Sequence, residues 1–565
     1  MLVSGINLFT VKKNSFNSNS QNSTAGIMFR NQGDTVSFSA NKGFKNVHTP
    51  EEAEAVATKL SNSTSGLRRR YDDRFKKDVA LLTQAIAAKL VADKASQYVM
   101  AGGDMRYASK VLVPQFVNQM KDNGFTVFHI EQPVPTPAEA LAAKVMGVGI
   151  ANLDTASHNN WNDAGFNLLT NAGAVADPKF TAPLIKLARE IAEGKPVQTK
   201  TGKIGQVISY DPYPLYKEYL DTKEINGHKI IDFNAIKDAG IDILYDDFGG
   251  TGSYYLPRLL EEHGIELADT LRTHTEGPEP NAKNMQTLAE AVRNYDSKLK
   301  IGLANDGDSD RFGIVDEQGN FISANDVLLL AAYHLNKNKG YKEGAILRSA
   351  ATSSQLDLLA NKLGLDVVVT PTGFKYIGEE MIKLEEEGHM PVLGGEESGG
   401  MTIGGHIPEK DGFIATLLMA ELMAYEKQPL SEIRRHIKED IIGTVVENSC
   451  TNYSTPDKQQ FIGEFKKMYQ DVVDGYEGEL FGMKVDAQRM KEEFDNLCKF
   501  KKGGDGVRIC FENGSSILVR LSGTEDKARV YKEIYSQSPQ EAAQIKQAIE
   551  DGVGAIATYC GAKAL

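Results

Sequence analysis

The feature that most constrains this fold is an alternation. Short apolar runs end in glycine- or proline-rich turns and give way to helix-period segments, repeatedly along the chain. Asp78 to Val91 sets Leu82, Ile86 and Leu90 four residues apart, one face of a helix. Gln97 to Ala101 reads as a buried strand closed by Gly102, Gly103 and Asp104. A helix follows through Phe116 and Met120, then a strand from Thr126 to Ile130. After Pro133, Pro135 and Pro137 comes a small-residue helix, then an apolar strand ending in Leu153. Strand–helix–strand order requires crossover connections, hence a parallel or mixed sheet. The pattern returns at Ile241–Tyr245, at Lys300–Ala304 with a helix over Val327–Leu335, and at Leu365–Thr370. Beyond Gly443 it changes: strands near Val507–Cys510 and Ile517–Arg520 lie close in sequence, as in an antiparallel α+β unit.

A length of 565 residues, at about 150 per domain, gives roughly four units. The expected division is a disordered Asn/Ser-rich tail over 1–60, α/β domains over 61–210, 211–323 and 324–440, and an α+β domain over 441–565. Charge supports the tail. Its first 50 residues hold Lys12, Lys13, Arg30, Lys42 and Lys45 against Asp34, while the whole chain carries −13. That acidic total argues against nucleic acid or an anionic membrane as the main partner. No apolar run approaches the roughly 20 residues of a spanning helix. Cys450, Cys498, Cys510 and Cys560 lack CxxC spacing, so a reducing, cytoplasmic location is expected.

Four motifs carry chemistry. In Asp306-Gly-Asp-Ser-Asp-Arg311, three carboxylates at i, i+2 and i+4 converge if Gly307 lets the backbone turn. Oxygen-only ligands suit Mg²⁺ or Ca²⁺, and Arg311 beside them suits a visiting phosphate. An EF-hand loop is the competing reading, with Asp306, Asp308, Asp310 and Glu317 as ligands, although Arg311 stands where its turn needs glycine. A solvated acidic turn is the other. Asp154-Thr-Ala-Ser-His-Asn-Asn160 ends a strand and offers the Ser157 hydroxyl and the His158 imidazole. Sequence neighbours seldom form a Ser–His pair, so an ordinary polar turn competes. Gly394-Gly-Glu-Glu-Ser-Gly-Gly400 puts Glu396 and Ser398 in a tight loop able to reach hydroxyls, or is a plain turn. Arg520-Leu-Ser-Gly-Thr-Glu525, with Arg529, reads as an anion cradle or as a strand end with a salt bridge. Together they describe a cation, a serine, a polyol loop and a separate phosphate grip: a phosphosugar site.

In that order and spacing the residues resemble the α-D-phosphohexomutase superfamily from Thr64 to Tyr531. Thr64-Ser-Gly-Leu-Arg68 is similar to its TSGLR, and Gly103-Asp-Met-Arg106 to its GxDxR. Thr155-Ala-Ser-His-Asn159 resembles its phosphoserine loop, Asp306–Arg311 its DGDxDR magnesium loop, Gly395–Gly399 its GEESG sugar loop and Arg520–Thr524 its RxSGT phosphate loop. Thr370-Pro-Thr-Gly-Phe-Lys375, His406-Ile-Pro-Glu-Lys-Asp-Gly412 and Gly400, which stands where mannose- and glucosamine-type members carry His, resemble the glucose-specific branch. The resemblance implies three related α/β domains and a C-terminal α+β domain around a central cleft. It implies an isomerase that interconverts glucose 1-phosphate and glucose 6-phosphate through phosphorylated Ser157 and glucose 1,6-bisphosphate, which also activates it. Mannose or glucosamine phosphates, or phosphosugar binding with impaired turnover, are the alternatives. One Mg²⁺ per chain would sit on Ser157, Asp306, Asp308 and Asp310. Arg311, His158 and Lys410 would serve catalysis. Thr372, Gly373, Glu396, Ser398, Arg520, Ser522, Gly523, Thr524 and Arg529 would hold the sugar phosphate. The protein would be a monomer or homodimer. Three departures stand out: Asn160 and Asp526 replace prolines, and Asn167 replaces a lysine that carries a proton in several members, leaving His158 or Lys410 for that duty.

Overall fold

The computed structural model describes residues 47–63, 66–476, 478–500, 506–521 and 527–565. The expected tail over 1–60 needs correction at its end. A helix, α1 (Pro50–Asn62), already begins there, with a Thr49–Glu52 capping box and proline in its first turn. Its buried stripe is Ala53, Ala57 and Leu60, packed on α5 (Pro178–Ala192). A stripe made mostly of alanine gives a weak periodic signal.

The first α/β domain is a mixed six-stranded sheet: β1 (Leu67–Arg70), β2 (Tyr98–Gly103), β3 (Thr126–His129), β4 (Ala151–Asp154), β5 (Asp163–Leu169) and β6 (Gln206–Ser209), in the order β1-β5-β4-β2-β3-β6. The strands β4, β2, β3 and β6 run parallel, and β5 is antiparallel to β4 and β1. The crossovers include α2 (Asp73–Ala92), α3 (Ser109–Asp122) and α4 (Thr136–Met146). The second domain orders its strands Asp269–Leu271, Asp242–Asp246, Lys300–Asn305, Phe312–Val315, Phe321–Ile322. The third orders them Asp366–Thr370, Ala345–Ser349, Pro391–Glu396, Gly400–Ile403.

All three share one device. The last central parallel strand turns into an antiparallel neighbour: β4 into β5, Lys300–Asn305 into Phe312–Val315, and Pro391–Glu396 into Gly400–Ile403. The serine, aspartate and glutamate loops are those three turns. Sequence alternation does not show the antiparallel returns, because they are short and follow the loops directly. The fourth domain is an antiparallel sheet, with Val507–Cys510, Ser516–Leu521, Lys527–Ser536 and Val445–Ser454 adjacent in that order and helices packed against it.

Candidate active site

Ser157 sits at the turn after β4 with φ +51°, a left-handed backbone that non-glycine residues rarely adopt. Buried Arg106 holds it there. Nη2 donates to the carbonyls of Ser157 (2.5 Å) and Asn159 (2.8 Å), and Nη1 to those of Asn160 (2.5 Å) and Asp163 (3.2 Å). Nε donates to Asp104 Oδ2 at 2.9 Å, and Asp104 also accepts from Thr155 Oγ1 at 2.7 Å. One guanidinium thus gathers four carbonyls of one loop. Trp161 lies under the same guanidinium, 5.1 Å from its ring centroid to Cζ. In the missing proline's place, Asn160 Oδ1 accepts from Asn162 N at 3.0 Å and keeps the turn closed.

The Ser157 hydroxyl donates to Asp306 Oδ2 at 2.7 Å and lies 3.2 Å from His158 Nδ1. The adjacent Ser–His contact corrects the expectation that such neighbours diverge; the left-handed serine accompanies it. Burial, then the charges of Arg311, Arg68, Arg106 and Lys410, hold the His158 imidazole well below its ordinary value. His158 is therefore neutral at pH 7.

Asp306, Asp308 and Asp310 are buried, with one carboxylate oxygen from each within 4.8 Å of the others. Their loop joins two antiparallel strands and no helix flanks it, so the EF-hand reading falls. Three domains fix it. Thr136, at the start of α4, donates Oγ1 to Asp308 Oδ2 (2.8 Å) and N to Asp308 O (2.9 Å). Gly412 N donates to Ser309 O, and Arg311 pairs with Gly400 across a single bridge. Burial and mutual repulsion raise Asp306 and Asp308, the latter to about 6. Asp310, though buried, is held down by Lys410 and Arg311. Asp308 Oδ1 and Asp310 Oδ1 are buried with no hydrogen-bond partner among the described residues. Such oxygens cost free energy unless a cation meets them, so the residues present fit a hard divalent metal and not a solvated turn.

Lys410 Nζ reaches Asp310 Oδ2 (2.5 Å) and Glu409 Oε1 (2.8 Å). Burial pulls its pKa down, but the two carboxylates outweigh that and raise it, so the ammonium stays charged. Its stem explains Gly400: a Cβ there would lie 2.3 Å from Lys410 Cδ. Asp411 caps the following helix (Gly412–Glu426) through Phe413 N and Ile414 N and accepts from His406 and Tyr216, fixing the 406–412 segment.

Glu396 is buried, accepts from Gly373 N at 2.7 Å, and is raised to about 7 by burial and then by Glu397. Ser398 is exposed at the loop tip, and Thr372 is half-buried beside Gly373. Arg520 and Arg529 are direct ladder partners, two guanidinium-bearing residues on one face of an antiparallel pair, an arrangement that favours an anion. Ser522, Gly523 and Thr524, like Thr64, lie outside the described residues. Asn167, in the lysine's place, turns inward: Nδ2 donates to Thr155 O at 2.9 Å.

The residues missing from the sequence-derived site are Arg106, Thr136 and Arg68, whose charge is felt at Asp308 and Asp310. The matches to TSGLR and GxDxR were the available signal for Arg68 and Arg106.

Known family models match four stretches of the chain. The phosphoglucomutase/phosphomannomutase alpha/beta/alpha domains I, II and III match residues 59–195, 217–319 and 323–440, and the C-terminal domain matches 478–552. The chain belongs to the α-D-phosphohexomutase superfamily. Phosphohexomutases are isomerases. Drosophila melanogaster phosphoglucomutase 1 is 29% identical over 548 residues, 86% of this chain and 92% of that protein. Carboxydothermus hydrogenoformans phosphoglucosamine mutase is 25% identical over 361 residues, 63% of this chain and 77% of that protein. The open form of the Paramecium exocytosis-sensitive phosphoprotein pp63/parafusin superposes with a TM-score of 0.72 at 24% identity, covering 89% of this chain and 96% of that one, which establishes the shared fold. Among the described residues no helix is long and apolar enough to cross a membrane.

Proposed function

We propose that this phosphohexomutase interconverts glucose 1-phosphate and glucose 6-phosphate through phosphorylated Ser157. The observation that carries the reading is the 2.7 Å bond from Ser157 Oγ to Asp306, within a buried carboxylate trio that has unmet oxygens. Ser157, Asp306, Asp308 and Asp310 would hold Mg²⁺, which when bound offsets phosphoryl charge. The phosphoryl group leaves Ser157 Oγ for O6 of glucose 1-phosphate: the Oγ–P bond breaks, the O6–P bond forms, and neutral His158, 3.2 Å from Oγ, takes the O6 proton and passes it to the departing Oγ. Glucose 1,6-bisphosphate turns over in the cleft, and its C1 phosphoryl returns to Ser157: the O1–P bond breaks, the Oγ–P bond forms, and His158 takes the Ser157 proton and gives it to O1. Lys410, held charged, and Arg311 supply fixed positive charge at the transferring group. Glu396 and Ser398 bind the sugar hydroxyls beside Thr372 and Gly373. Arg520 and Arg529, with Ser522, Gly523 and Thr524, grip the non-reacting phosphate and orient the sugar. Glucose is the substrate this reading favours, because Thr370–Lys375, His406–Gly412 and Gly400 resemble the glucose-specific branch.

Ser157→Ala, assayed with glucose 1-phosphate and catalytic bisphosphate, should abolish mutase activity and the mass shift of one phosphate. Retained turnover sinks the assignment. Turnover on glucose 1-phosphate should exceed that on the mannose and N-acetylglucosamine 1-phosphates. Mg²⁺ added to the resting protein should change the fluorescence of Trp161, the single tryptophan.

A further inference from the structure

The first domain's sheet ends on an open edge. The outermost strand β6 pairs with β3 alone, and among the described residues nothing pairs with its other side. Gln206 N donates to Phe125 O (3.2 Å) and Tyr210 N to His129 O (2.9 Å), so in this parallel ladder the alternate residues bond inward. The N–H and C=O groups of Val207 and Ser209 therefore point outward. Every residue of β6 is exposed, with Val207 at 43% and Ile208 at 40%, and the preceding Ile204 is 90% exposed. Phe128, the ladder partner of Ile208, stacks on Tyr98 and meets Tyr210 edge-on, extending the apolar band inward. Native sheets blunt an edge with proline, an inward charge, a bulge or a covering loop; β6 itself has no proline and no charge.

We propose that this edge is the interface of a two-fold dimer, with β6 pairing antiparallel to β6 of a second copy about Val207. The flanking charges select that occupant. In this register Gln206 faces the second copy's Ile208, Gly205 and Ile204 before the strand approach its Ser209 and Tyr210, and Lys203, in the bend before β6, lies toward its Asp211. Lys203 and Asp211 are both exposed. The outward N–H of each Val207 meets the outward carbonyl of the other. A shift that centred the axis on Gln206 or Ile208 would make a non-hydrogen-bonded pair at the joint and would move Lys203 off Asp211. A parallel pairing would set Lys203 against Lys203 and Asp211 against Asp211. Antiparallel self-pairing about Val207 meets Val207 with Val207 and base with acid.

The test is sedimentation equilibrium of the full chain over a range of concentrations. The wild type should be a dimer. Val207→Pro removes an outward N–H while leaving the bonds to β3 in place, as an edge strand tolerates. It should raise the dissociation constant at least tenfold, with turnover at saturating substrate unchanged. Lys203→Asp and Asp211→Lys should each weaken the dimer, and mixing the two variants should restore it, since each then meets its opposite. Asp211 also accepts from Tyr213 N, a loss common to the single variant and the mixture. A wild-type monomer at every concentration overturns the proposal, as does a dimer indifferent to all three substitutions. A monomer whose Val207 and Ser209 amides resist hydrogen exchange also overturns it.

Discussion

Domains one to three and domain four are held together in different ways. The first three share one continuous core: Met100 and Leu153, Ile243 and Leu303, and Leu328 and Leu417 belong to a single buried cluster. The fourth has its own core around Phe461, Ile509, Val530 and Ile549, and its apolar link to the third is Ala350 against Leu497 and Leu518. Partly buried Ala351, Val369 and Tyr531 pack against that link, and polar bonds surround it. Glu533 accepts from Ser353 Oγ (2.5 Å), Ser354 N (2.8 Å) and Ser354 Oγ (2.7 Å), Asn448 donates to Ser353, and Arg508 donates to Ala350 O. A shared apolar core cannot slide without exposing its area to water, whereas polar contacts exchange for water at little net cost. The loops that would react are therefore locked together, and we expect the lobe that carries Arg520 and Arg529 to be the one that repositions. In the proposed reaction, a sugar that turns over between two half-reactions would use that division.

The strongest way to break the comparison is at the locked side. Arg106→Met removes the donor to four carbonyls and leaves Asp104 without its guanidinium. Relaxation of Ser157 from its left-handed backbone should lower kcat by about 100-fold or more, because small misplacements at a reacting atom cost that much. Arg106→Lys should not rescue it, since an ammonium cannot span the fork. Steady-state kinetics with phosphoserine mass measurement check this. Full phosphorylation and near-normal kcat would show that the loop holds itself.

On the mobile side the effect should be smaller and of another kind. Glu533→Ala frees Ser353 and Ser354 and loosens the fourth domain without touching its core. We expect kcat/KM to fall about tenfold, equal to about 1.4 kcal/mol, and calorimetry to show an added, lower transition for that domain. An unchanged single transition would mean that the polar junction contributes nothing.

How much of this was legible in the sequence follows the same division. The aspartate, serine and glutamate loops are local, so their residues stand together in the chain. What fixes them is distant: Arg106 meets carbonyls more than fifty residues on, and Thr136 meets Asp308 172 residues on. Residue types show that a serine loop exists, not which guanidinium threads it. The helix α1 was hidden because alanine makes a poor apolar signal, and the antiparallel returns because they directly follow the loops.

The shared core has one flaw that sharpens the comparison further. Glu139 on α4 is fully buried, and neither carboxylate oxygen has a partner among the described residues. Burial, then Asp154, raises it well above its ordinary value of 4.5. A carboxyl raised in the folded state stabilises below its unfolded pKa, and that contribution is lost as pH rises through the folded value. Glu139→Gln should therefore gain about 1 kcal/mol over wild type at pH 8, within the cost of an unmet buried group. At pH 4 it should gain nothing. Denaturant unfolding of the first three domains at both pH values measures this, and an equal gain at both would place the effect in packing instead of ionisation.

The smallest effect should come from Asn167→Lys. Asn167 lies on β5 within the locked body, bonded to Thr155 O and facing Gly66, where a Cβ would stand 1.9 Å from Asn167 Oδ1. A lysine is too long for that slot and must leave it. If His158 moves the proton, a second base adds little, and kcat should change less than about threefold, under about 1 kcal/mol of barrier. The acid limb of kcat/KM should stay well below pH 6.5, as a depressed imidazole requires. A rise of more than about tenfold, with the limb moved to a new pH, would show that proton transfer limits the natural enzyme and that His158 carries it poorly. The locked side would then be complete in its bonds and incomplete in its chemistry, a distinction the Arg106 and Glu533 variants cannot draw.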